Sequence, residues 1–162
     1  MRFSVGAYFL DDFEESFEVM LENANLARKH AKELLSTKIC IYQEQLRAKR
    51  DDEIQVTGRF YGALQRGEFE LFLQPKFLLN EKRIYGAEAL ARWRMPDGEL
   101  ISPTKFIPPL ENIGYIVDLD FYILEQLLRV MRRWKRAGKE LFTISTNFSR
   151  KHFENINDKQ VF

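Results

Sequence analysis

Cysteine is nearly absent from this 162-residue sequence, and so is any excess of one charge. The single cysteine, Cys40, can form no intrachain disulfide. That excludes a disulfide-built secreted scaffold and fits a reducing compartment. Its setting, Ile39-Cys40-Ile41-Tyr42, predicts a buried, unreactive thiol. There are 25 Lys and Arg against 24 Asp and Glu, a net charge of +1. No broad field therefore draws a nucleic-acid polymer or an anionic membrane. The nearest thing to a basic run, Arg129 to Arg136, lies on a stretch with a strong apolar face. No segment approaches the ~20 apolar residues of a membrane span. The opening Met1-Arg2-Phe3-Ser4 has too short an apolar run for a signal peptide. Together these absences predict a cytoplasmic segment that makes no membrane contact, whatever anchor a parent protein carries elsewhere. With only His30 and His152, far apart, no zinc-ligand spacing occurs. No P-loop and no GxGxxG is found either.

What is present is apolar and aromatic. Hydrophobic residues make up 45% and aromatics 14%, with 14 Phe, so the chain can build a core. Residues 3–9 read as a strand. Asp11 and Asp12 offer N-caps to a helix over Phe13 to Leu35, whose apolar face is Phe17, Met20, Leu21, Ala24, Ala27, Ala31 and Leu34. A strand follows at 38–43. The helix expected over 44–66 begins almost wholly polar, as a connector would, and gains Ile54, Phe60 and Leu64 before Gly67 stops it. The domain boundary is placed inside it.

Phe69 to Leu79 and Arg83 to Arg94 read as two strands around a turn at Asn80-Glu81-Lys82. Met95-Pro96-Asp97-Gly98 is a turn, and Ser102 with Pro103 opens a short helix ending near Leu110. Asp118 to Ala137 is the clearest helix, followed by a strand over Leu141 to Asn147 and a helix start near Ser149.

Alternation puts Glu88, Leu90 and Arg92 on one face of the second of those strands, with Ala87, Ala89, Ala91 and Trp93 on the other. A carboxylate and a guanidinium inside an apolar strand are costly unless paired or functional. The plain alternative is an ion pair between them. A three-residue loop at 80–82 sets Gln74 directly opposite Glu88, on a register that a one-residue slip would undo. Pro75 favours an edge strand. Asn147 ends its strand where α/β barrels keep active sites, although a turn or cap Asn is the commoner role. Glu88 and Asn147 are both oxygen donors of the kind Mg²⁺ or Mn²⁺ accepts, but two ligands do not make a site. Ser149 has no evident base. Glu111 is expected to pack or cap the turn at Asn112-Ile113-Gly114.

In order along 67–153, Gln74-Pro75, Tyr85 through Trp93 with Glu88-Ala89-Leu90-Ala91-Arg92, Ile101-Ser102-Pro103, Phe106-Ile107-Pro108 and Ser145-Thr146-Asn147-Phe148-Ser149 resemble the opening of EAL domains. Residues 1–43 resemble, less specifically, the end of a GGDEF domain. There Ser4-Val5-Gly6 matches a late strand, and Ala24-Asn25-Leu26-Ala27 through Ala31-Lys32 a final helix. Asn25 stands where the family usually has Asp, and the signature loop is absent. The resemblance implies an α/β fold. The N-terminal part of an EAL-type (β/α)8 TIM-like barrel (67–162) follows a linker helix (44–66) and the last strands and helix of a GGDEF-like α+β domain (1–43).

It also implies a metal-dependent phosphodiesterase that hydrolyses cyclic-di-GMP to pGpG. Glu88 and Asn147 would bind Mg²⁺ or Mn²⁺, Arg92 a substrate phosphate, Gln74 would lie in the substrate site and Leu90 would pack against the ligand. A (β/α)8 barrel takes ~250 residues, and the family's later acidic ligands and lysine have no counterpart here, so this stretch alone is expected to be inactive. The alternative is a GGDEF–EAL receptor that binds cyclic-di-GMP without cutting it. A homodimer through the EAL domain or the 44–66 helix is a further partner reading.

Overall fold

The computed structural model describes residues 3–10, 15–34 and 39–154. It forms two compact units, residues 1–54 and 55–162. The division falls inside one helix.

In the first unit, strand β1 (Val5–Ala7) pairs in parallel with β2 (Ile39–Ile41), and helix α1 (Phe17–Glu33) connects them. Parallel strands need such a crossover. α1 lies so close over β1 that a Cβ at Gly6 would come within 2.0 Å of the Ala24 carbonyl oxygen. Ala27 and Ala31 are the small residues buried on that helix. The N-cap is Ser16, whose Oγ accepts from the Val19 N–H at 3.4 Å. The Asp11 and Asp12 caps expected from sequence lie outside the described residues. Cys40 is half-buried rather than buried, with its Sγ 3.5 Å from the Ile41 carbonyl. Arg47, from the first half of helix α2 (Glu44–Arg66), reaches back to the buried Asn23.

The second unit begins with the other half of α2. Its Phe60 and Ala63 are fully buried. Gly67 ends the helix at φ 72°, the left-handed conformation that suits glycine after a helix C-terminus. The chain then enters β3 (Phe69–Leu78), which pairs antiparallel with β4 (Arg83–Arg94). The far side of β4 is shared by β5 (Leu100–Ile101), antiparallel at its end, and β6 (Thr143–Thr146), parallel at its middle. Among the described residues β3 is an edge strand, which is where Pro75 costs no ladder hydrogen bond. Helices α3 (Pro103–Ile113) and α4 (Ile116–Arg136) follow β5, and α5 (Lys151–Glu154) follows β6. α3 runs past the expected stop at Leu110 to a left-handed Gly114.

One face of the sheet is the core. Phe69 and Trp93 pack with Phe60, Phe106, Leu110, Leu119 and Ile123. Ring centroids lie 4.9 Å apart for Phe69 and Trp93, and 5.8 Å for Trp93 and Phe106. The Trp93 indole N–H is buried here and donates to Glu68 Oε2 at 2.9 Å, while Arg66 donates to Glu68 Oε1 at 2.7 Å. Burial pushes the Glu68 carboxyl up, but these two donors outweigh it and hold the group below its ordinary value. No described helix is long and apolar enough to cross a membrane.

Candidate functional site

The face of β4 that the helices do not cover carries the polar residues. Ala87, Ala89 and Trp93 are buried against the core, whereas Glu88, Leu90 and Arg92 are half-exposed on the other side. Gln74 of β3 lies directly opposite Glu88. The register agrees with the expectation, but by another route. The loop has four residues, Leu79 to Lys82, and a bulge between Lys76 and Phe77 leaves Tyr85 as an extra residue. That one residue restores the pairing from Lys76–Gly86 inward.

Parallel pairing sets Ser145 of β6 beside Glu88, so Asn147, two residues on, emerges from the same face. Its amide donates to Glu88 Oε1 at 2.8 Å. The Glu88–Arg92 ion pair weighed from sequence does not form. Glu88 is held instead by Asn147 and by Lys76, whose Nζ lies 3.9 Å from Oε2. Arg92 donates to the Ala91 carbonyl at 2.8 Å and lies 5.8 Å from the centroid of the Phe72 ring. Leu90, Arg92, Thr146 and Asn147 also border a cleft of about 200 Å³ on the helix side, whose other walls are Ala89 and Ala91 of β4 and residues of α3 and α4, Asp120 among them.

The turn that carries Asn147 is tied down from behind. Asp120 of α4 accepts from the Ser149 N–H at 2.8 Å and contacts His152 Nε2 at 2.9 Å. The Ser149 hydroxyl donates to the Glu111 carboxylate at 2.8 Å, while the Glu111 backbone carbonyl accepts the Gly114 N–H at 3.2 Å, so Glu111 fixes this turn as well as the expected one at Gly114. Sequence reasoning passed over Asp120 and Lys76, and took Ser145 only as part of the motif that carries Asn147. Asp120 was detectable, because it stands with Ile116, Leu119 and Ile123 at the helical spacing of the apolar face. Lys76 shares the parity of Gln74, but nothing in the sequence announced how far its side chain reaches.

Glu88 and Asn147 are hard oxygen donors on one sheet face, and so fit two positions of a Mg²⁺ or Mn²⁺ site. The Asn147 amide would have to turn its carbonyl oxygen inward, a rotation between nearly isosteric ends. Among the described residues no group of three His, Cys, Asp or Glu could hold a metal ion.

A mixed sheet with helices on one face and polar side chains on the other defines a mixed α/β fold with its site at the sheet. The EAL-domain family matches residues 58–157, and the chain belongs to that family. It is similar to the bifunctional diguanylate cyclase/cyclic di-GMP phosphodiesterase MucR of Pseudomonas aeruginosa, 32% identical over 151 residues, 93% of this chain and 22% of that protein. The cyclic di-GMP phosphodiesterase NbdA of the same organism is 31% identical over 147 residues, 91% of this chain and 19% of that protein. A solved complex of the PaMucR phosphodiesterase with c-di-GMP superposes with a TM-score of 0.56 at 35% identity, covering 62% of this chain and 41% of that one. The chain thus spans about a fifth of the length of these curated relatives.

Proposed function

We propose that this chain supplies the first part of the barrel of a metal-dependent phosphodiesterase acting on cyclic-di-GMP, and that the stretch alone does not complete catalysis. The observation that carries this is the Glu88–Asn147 contact across adjacent parallel strands, 59 residues apart in sequence. Two oxygen donors meet there on a face that also bears Gln74, Leu90 and Arg92. Glu88 and Asn147 would hold the divalent cation, Mg²⁺ or Mn²⁺. When bound, the metal supplies activation of a water and neutralisation of the leaving oxygen. Arg92, restrained among the described residues by a carbonyl and a ring, is placed to turn to a substrate phosphate. Gln74 would hydrogen-bond the nucleotide, and Leu90 would give it an apolar contact. The Asp120–Ser149–Glu111 knot keeps Asn147 at the cleft.

The layout we propose is the end of a GGDEF-like domain over 1–43, a linker helix over 44–66 and the barrel from 67 onward. The MucR match supports it, since at 93% of this chain it must run through most of residues 1–43.

The test is chromatographic detection of pGpG from cyclic-di-GMP with Mg²⁺ or Mn²⁺. It compares the chain alone, the chain joined to the remainder of an EAL barrel, and the joined protein carrying Glu88→Ala. The chain alone should release none and the joined protein should cut. Glu88→Ala should lower the rate by more than about a hundredfold, beyond the loss typical of outer-shell partners. A joined protein that binds cyclic-di-GMP without cutting it would establish the receptor reading instead. One that neither binds nor cuts overturns both.

A further inference from the structure

We infer that Lys76 is the resident counter-charge of the Glu88 carboxylate and sets how readily a divalent cation reaches Glu88 and Asn147; this rests on the metal reading above. Lys76 is on β3 and its hydrogen-bond partner is two strands away on β6, so its path across the sheet needs an explanation. The residue opposite it on β4 is Gly86. With no side chain there, the Lys76 stem can lie over β4 and deliver Nζ to Ser145 Oγ on β6 at 2.8 Å. Ser145 in turn donates to the Ala87 carbonyl at 3.5 Å, which leaves its oxygen lone pairs for the ammonium. On this route Nζ comes to rest 3.9 Å from Glu88 Oε2, with the two side chains 36% and 34% exposed.

Glu88 therefore has a positive partner of its own. A dication bound to the same carboxylate would lie within a few ångströms of the ammonium. Either the two charges repel or Lys76 must give up Ser145 and swing away. Both routes weaken metal binding. At a half-exposed position, water and salt screen the repulsion, so removing the charge should tighten binding by about three- to tenfold rather than by orders of magnitude. Lys76 is thus a positioning residue. It keeps Glu88 oriented while no metal is bound and sets the concentration at which the metal takes over.

The experiment is a Mn²⁺ titration of the ¹⁵N-labelled chain, following paramagnetic broadening of the Asn147 side-chain amide signals. The readout needs no turnover and tolerates weak binding. In Lys76→Met the midpoint of broadening should fall to about three- to tenfold lower Mn²⁺, and Lys76→Gln should behave alike. Lys76→Arg keeps the charge and should stay within about twofold of the parent. An unshifted Trp93 indole signal reports that each variant is folded. A midpoint in Lys76→Met and Lys76→Gln equal to the parent's, or higher, overturns the inference and spares the metal reading. If Mn²⁺ broadens Asn147 selectively in none of the proteins, the inference falls, while the metal reading, which needs ligands beyond these two, is decided by the Glu88→Ala cleavage assay on the joined protein.

Discussion

Replacing Glu68 by alanine removes two contacts that the structure ranks very differently. One is the acceptor of the Trp93 indole N–H, in a ring only 2% exposed. No water can take its place without opening the core, and a buried donor left without an acceptor costs about 1–3 kcal/mol. The other is the ion pair with Arg66, whose side chain is 56% exposed. Solvent screening limits that one to about 1 kcal/mol or less. Glu68→Ala should therefore destabilise residues 55–162 by about 2 kcal/mol, mostly through Trp93. Guanidinium unfolding followed by tryptophan fluorescence reads this unit alone, because both tryptophans, Trp93 and Trp134, belong to it. A pH series adds an independent arm. The folded carboxyl sits below its ordinary value of 4.5, so its contribution is present above that pH and is lost as pH falls through the folded value. The advantage of the parent over Glu68→Gln should shrink in that acid window and be steady near neutrality. A loss below about 0.5 kcal/mol for Glu68→Ala at neutral pH, the range of an ordinary surface substitution, would refute the assignment of Glu68 to the Trp93 core.

Two further outcomes test the sheet and its helices. Gly86→Ala puts a Cβ 2.8 Å from the Thr143 carbonyl oxygen, a backbone atom that cannot step aside. It should cost about 1–3 kcal/mol and speed amide exchange over Thr143 to Thr146; unchanged exchange there would contradict the β4–β6 pairing. The Tyr61 hydroxyl donates to Asp118 at 2.7 Å, and that bond, aided by desolvation and the carboxylate's charge, pushes Tyr61 up to about 12. Its folded value lies above the ordinary 10.0, so the bond's contribution holds below pH 10 and is lost as pH rises toward 12. In Asp118→Asn the Tyr61 ring carbons should titrate closer to 10; a titration unmoved by that change would exclude the bond.

Much of this was readable because periodicity reports burial directly. The alternation of Ala87, Ala89, Ala91 and Trp93 with Glu88, Leu90 and Arg92 assigns the two faces of β4 before any coordinates are known. The spacing on α4 likewise identifies Leu119, Ile123 and Leu127, all buried. Side-chain partners were not legible in the same way. Glu88 and Arg92 share a face, and electrostatics alone would pair them. Strand spacing sets them four residue rises apart, about 13 Å along the strand, and each finds a nearer partner. Those partners, Asn147, Lys76 and Phe72, depend on register and on the bulge at Lys76/Phe77. A bulge leaves no mark in the hydrophobic pattern, because Tyr85 is as acceptable at an exposed strand end as any other residue. The same holds for the Asp120–Ser149–Glu111 knot, which joins three segments by single hydrogen bonds.

That Glu88 and Arg92 are satisfied separately bears on what the face can do. Had they paired, bringing a cation to one or an anion to the other would first have broken an ion pair and left the abandoned charge uncompensated. In the observed arrangement Glu88 faces an amide and a solvent-exposed ammonium, while Arg92 rests on one neutral carbonyl and an aromatic ring. Each can exchange its present partner for a ligand of opposite charge without disturbing the other. The core face of β4 makes this tenable. The small Ala87 and Ala89 let the helix side pack closely, and Trp93 anchors the strand through Phe69 and Phe106, so the strand's position does not depend on its polar face. Packing and the open polar positions are thereby assigned to opposite parities of one twelve-residue strand. A one-residue slip of that strand would destroy both at once, which is why the bulge that fixes its register belongs to the site as much as the residues that line it.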